Sequence, residues 1–182
     1  MKRLALLSLL TLSLLACNPA SPTTRGGPSF DGSARWALGF AQPQITGFAA
    51  DAQLYQILGS LIMKDGRLPT NQGNWSFVTW SPSQQKVFQV TVDNNGAVTT
   101  STRAETSPPT VSGSPLPGTW ANSTDVFAAA APHLDPGVFQ ATLAVLNVAS
   151  YSGVPNQAVW GINFNTGPNQ LVKWDGTYVG PQ

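Results

Sequence analysis

The chain has 182 residues, 42% of them hydrophobic and only 9% charged, with nine Lys or Arg against eight Asp or Glu. That length suits one ordinary domain or two small units sharing a core, and a net charge of +1 leaves no basic surface for displacing counterions from nucleic acid. A single cysteine excludes an internal disulfide, so the fold must stand on packing alone.

Met1-Lys2-Arg3 is a short basic segment, and Leu4 to Leu15 is an apolar run interrupted only by Ser8, Thr11 and Ser13. The run suits the core of an export signal and is shorter than the roughly 20 apolar residues of a spanning helix. It closes on Leu14-Leu15-Ala16-Cys17, which resembles the lipobox of bacterial lipoproteins. The resemblance implies removal of residues 1–16 as a signal peptide, a diacylglyceryl group on the Cys17 thiol and an acylated new amine. Two or three acyl chains, at about 0.8 kcal/mol per buried methylene, hold a protein on a membrane where one chain is marginal. Asn18 stands where an aspartate would signal inner-membrane retention. The expected address is therefore the cell envelope, and the outer membrane in a Gram-negative organism. Once Lys2 and Arg3 leave with the signal, seven basic side chains face eight acidic ones, which gives no attraction to anionic lipid.

Residues 17–34, rich in Pro, Ser, Thr and Gly, read as a flexible tether reaching roughly 20 to 25 Å as a random coil. Trp36 to Phe40 reads as a short strand or irregular lead-in that Pro43 ends. From Gly47 to Leu58, Phe48, Ala52 and Tyr55 recur at near-helical spacing, with Leu54 and Ile57 widening the stripe; this predicts the first helix. Leu61 to Lys64 predicts a short strand entering an Asp65-Gly66 turn. Asn74 to Ser81 and Lys86 to Val92 alternate as an antiparallel hairpin around Pro82, and Asp93-Asn94-Asn95-Gly96 turns the chain into a polar edge strand, Ala97 to Arg103.

The four prolines of residues 106–118 mark a linker between a first unit, 35–105, and a second, 119–182. Asn122 or Ser123 caps a helix that Pro132 ends, and Asp135-Pro136-Gly137 is a second stop. Val138 to Ala149 suits helix or strand, with the balance toward strand. Ala158 to Asn163 and Gln170 to Trp174 predict a hairpin, and Asp175-Gly176 turns the chain into Thr177 to Val179.

The two units share an order of helix, short strand, Trp-bearing strand and returning strand, so the expected fold is α+β: tandem α-β-β-β repeats with one helix packed per repeat on an antiparallel sheet. Asp51-Ala52-Gln53-Leu54, the Asp65-Gly66 turn, Trp75-Ser76-Phe77, Val90-Thr91-Val92-Asp93, and Trp120 ahead of Ser123-Thr124-Asp125 carry a further likeness. Over residues 45 to 180 the layout resembles the PepSY-like and beta-lactamase-inhibitor-protein-like tandem folds of secreted bacterial proteins. Lys173-Trp174-Asp175-Gly176 stands where such repeats close on an acidic residue, Ala and Gly. The resemblance implies a non-catalytic module that binds or restrains another envelope protein, often a peptidase.

No residue pattern calls for a cofactor, a metal or an enzymatic activity. His133 is the sole histidine, and Asp135 is too near in sequence to orient it in a triad, so it reads as a cap or surface residue at a helix end. Asp93-x-Asn95 has the opening of a calcium loop, but Ala104 occupies the position of the bidentate glutamate. Of the six tryptophans, Trp75 and Trp160 fall among apolar alternations and read as core. Trp80 and Trp174 sit beside Ser, Gln or Lys; they read as contacts for a protein partner, as a cover for the other sheet face, or as a glycan-stacking platform in an alternative cell-wall-binding role.

Overall fold

The computed structural model describes residues 29–110, 113–151 and 153–182. Cys17, the expected signal peptide and lipobox, and most of the expected tether lie outside these. The described chain is α+β: α1 (Ala34–Phe48), β1 (Gln53–Met63), β2 (Asn74–Ser81), β3 (Lys86–Asp93), β4 (Val98–Ala104), α2 (Ser123–Ala130), β5 (Gln140–Tyr151), β6 (Val154–Phe164), β7 (Gln170–Lys173) and β8 (Tyr178–Pro181). All strands join one antiparallel sheet in the order β4-β3-β2-β1-β5-β6-β7-β8. Each helix is thus followed by four strands, which corrects the expected three, and the sheet is continuous through a β1–β5 seam.

The first helix is the main correction. It occupies residues read from sequence as a strand or lead-in, and runs through Pro43. Ser33 caps it, its Oγ accepting the Trp36 N–H at 3.2 Å, and Ala34, Ala37, Ala41 and Ile45 form the buried stripe. Pro43 is tolerated because it and Gly39, whose carbonyl loses the helical bond, are both on the exposed side where water substitutes.

The predicted helix over 47–58 is instead the end of α1, a loop and most of β1. Leu54 and Ile57 both serve the core although they are three residues apart, because β1 carries a bulge between Leu54 and Gln56 that resets the alternation. Ile62 reaches the same core past Leu61, a non-glycine residue at φ 57°. Asp51, expected within that helix, tethers the α1–β1 loop to the β2–β3 hairpin. The hydroxyl of Ser81 donates to it at 2.6 Å, the Ser83 N–H at 2.9 Å and the Ser83 hydroxyl at 3.0 Å.

Both helices lie on one sheet face over a shared core. Trp160 stands edge-on to Trp75 and to Trp120, with centroids 6.2 and 6.1 Å apart. The helix N-termini meet: Ser123 Oγ accepts the Ala34 N–H at 3.0 Å and donates to the Gly66 carbonyl at 2.6 Å, while Asn122 Oδ1 accepts the N–H groups of Arg35 and Ser123. The Arg35 guanidinium lies over Trp120 and donates to its carbonyl. The expected linker is packed at its end, where Leu116 is buried and its N–H donates to the Leu54 carbonyl at 2.7 Å. No helix among the described residues is long and apolar enough to cross a membrane.

Candidate interface on the open sheet face

Because both helices cover one face, the residues that alternate with the core residues along each strand project from the other. Strand register places these side chains in rows. One row runs Thr99, Thr91, Ser76, Leu58, Val145, Gly161 and Leu171 across seven strands. A second runs Ser101, Gln89, Val78, Gln56, Asn147, Val159 and Lys173. Leu58, Leu143 and Val145 at the seam are half-buried, flanked by Ser60, Asn74, Gln56 and Asn163 in the same state. The Ser76 and Thr91 hydroxyls bond to each other at 2.7 Å. Charges stand only toward the margins, at Asp93, Arg103 and Lys173. The face is closed toward β6–β8, where Val154, Val159 and Leu171 are buried against Tyr151 and Val179; around the β1–β5 seam it is near neutral, partly apolar and supplied with uncharged donors and acceptors.

The sequence-predicted residues do not gather on it. Trp80 does belong to this face, half-buried, edge-on to the buried Tyr55 at 6.1 Å, with its indole N–H donating to the Glu105 carbonyl at 3.1 Å. Trp174 follows Val172 in parity and packs against the main core on the helix side. The two indoles therefore share no surface, and a common glycan platform draws no support from their placement. Burial raises the pKa of the Tyr55 hydroxyl above its usual value, which keeps that side chain neutral beside Trp80. Cys17 lies outside the described residues.

His133 is exposed and its ring stacks flat on Tyr178, centroids 3.8 Å apart. Tyr178 in turn donates to the side-chain oxygen of buried Gln170 at 2.6 Å. Asp93 Oδ1 is engaged with two backbone donors, Asn95 and Ala97, both at 2.8 Å, with Gly96 at positive φ: the geometry of a turn. Among the described residues no group of three or more His, Cys, Asp or Glu is placed to hold a metal ion.

The residues that make up the open face, Leu58, Ser76, Thr91 and Val145 above all, were not read from sequence as a surface, although Ser76 shares one face of its strand with Val78 and Trp80 by alternation. Alternation within β2 and β3 marks two faces, but nothing local says which face the helices take. The chain matches no family model, no curated protein and no solved structure.

Proposed function

We propose that this chain is a lipid-anchored envelope protein, tethered through Cys17, whose body is a non-catalytic binding or inhibitory module for another envelope protein. The docking surface in this reading is the open sheet face. The observation that carries it is the make-up of that face: apolar Leu58, Leu143 and Val145 at the centre, uncharged hydrogen-bonding side chains around them, charge at the margins. Centres of protein interfaces are depleted of charge in this way, with polar rims. The lipobox and the −1 mature side-chain charge, about neutral, support an anchor that does not rely on lipid headgroups.

We further infer that the fold is a tandem duplication of the kind found in PepSY-like and beta-lactamase-inhibitor-protein-like proteins. Its support is a helix followed by four strands, twice over, and a strand order mirrored about the β1–β5 seam. Trp75 and Trp160 occupy matching second strands and meet edge-on.

The test is site-specific photo-crosslinking of the full chain in its host envelope, with benzoylphenylalanine replacing Leu58 or Val145 and, as a helix-side control, exposed Gln44. A discrete protein adduct is expected from both sheet positions and not from position 44. Adducts of equal yield at all three positions, or none at the sheet positions, would sink the reading.

A further inference from the structure

The sheet ends in two strands that differ in kind. β8 is four residues long, closes on Pro181, and its pairing with β7 is interrupted by a register shift. Short length, proline and irregular pairing are the usual means by which an edge refuses a further strand. β4 has none of them: it runs for seven residues without proline or lysine, in unbroken register against β3 from Lys86↔Ala104 to Val92↔Val98. Thr99 through Ala104 are all exposed.

The free side of β4 can be assigned group by group. At one end of the ladder the Glu105 N–H donates to the Gln85 carbonyl at 2.9 Å, and at the other the Asp93 N–H donates to the Ala97 carbonyl at 3.1 Å. Because antiparallel pairs alternate, Thr99, Ser101 and Arg103 also turn their backbone groups toward β3. The N–H and C=O groups of Val98, Thr100, Thr102 and Ala104 therefore point away from the sheet, and among the described residues none has a partner.

The strand is close to self-complementary. Laid antiparallel on a second copy about a two-fold axis at Ser101, Thr100 faces Thr102 and Val98 faces Ala104, so every outward N–H meets an outward C=O. Moving the axis to Thr100 or Thr102 leaves one end of each strand unpaired. With the axis at Ser101, Arg103, the one charge in β4, faces Thr99. It stands about 14 Å from its twin, at roughly 3.4 Å per residue along the strand, which is beyond the screening length at physiological salt. No like charges oppose each other.

We propose that β4 pairs with the β4 of a second copy of this chain, in the register centred on Ser101, joining two sheets edge to edge. The contact uses the margin of the sheet and does not depend on the reading of its open face. Pairing through one strand makes a small interface, at the low end of specific contacts, so a covalent trap is the fitting measurement.

The test is disulfide trapping in the full chain, with linked peptides identified by mass spectrometry so that links through Cys17 are set apart. At the axis the two Ser101 Cα atoms would be about 4.5 Å apart, within the span of a disulfide. Ser101→Cys should therefore link position 101 to itself. Thr99→Cys, also exposed on this strand, should not link to itself, yet should link to Arg103→Cys when the two variants are mixed. Thr100→Pro removes an outward N–H and leaves the ladder to β3 intact. Added to Ser101→Cys, it should lower the yield about tenfold, the scale of one lost hydrogen bond from each copy, with the thermal midpoint retained. The proposal is overturned by the absence of a 101–101 link, by a 99–99 link of equal yield, or by an unchanged yield from a folded Thr100→Pro chain.

Discussion

Gly59 has no room for a methyl group. A Cβ there would lie 2.3 Å from Cζ3 of Trp75, whose ring covers the glycine from the paired strand and whose indole N–H donates to the Gly32 carbonyl. Gly59→Ala should therefore destabilise the chain by about 1–3 kcal/mol, the usual cost of overpacking a core. Gly47 has nothing within 4 Å of such a Cβ and sits in α1, so Gly47→Ala should stabilise by about 0.5–1 kcal/mol. Chemical denaturation of the pair reads both signs, and a loss at Gly47 or a gain at Gly59 would contradict the packing described. Asp51 adds a pH dependence: the Ser81 hydroxyl first, then Ser83, holds its pKa below 3.8. The folded value lies below the unfolded one, so the unfolded chain binds the extra proton. The stabilisation is complete above about pH 4 and is lost as pH falls through the folded value. Asp51→Asn should accordingly flatten the acid limb of the stability curve, and identical limbs in the two proteins would rule this out.

At the level of elements, what the sequence made legible followed simple alternation or capping. β2, β3 and the polar edge β4 came from period-two patterns, α2 from Asn122 and the stop at Pro132. Where the backbone departs from regularity, the pattern misled. The bulge near Tyr55 and the positive φ of Leu61 let Leu54, Ile57 and Ile62 face one core, a spacing that imitates a helix. Conversely, Pro43 looked like a stop, yet its place on the exposed side of α1 makes the lost bond tolerable. The open face was legible only as alternation within single strands: its residues come together through the β1–β5 seam, and the helix N-termini through the contact of Gly66 with Ser123, neither of which has a local signature.

For the molecule as a whole, one sheet and one main core span both of the units read from sequence. Ser123, at the start of α2, caps an N–H of α1 and ties down Gly66. The two units should therefore unfold together, in a single calorimetric transition whose van't Hoff and calorimetric enthalpies agree; two resolved transitions would show independent halves. The seam has another consequence, in the order of assembly. Each set of four strands is built from neighbours in sequence, whereas Gln56 must find Asn147 from the far side of the chain. Closing so long a loop is entropically costly and slow, so β1 waits with an unpaired edge until β5 reaches it. During that interval the β5 of a second molecule is as good a partner as its own. Misassembly by strand exchange would begin there, in the middle of the finished sheet, and leave its outer edges untouched.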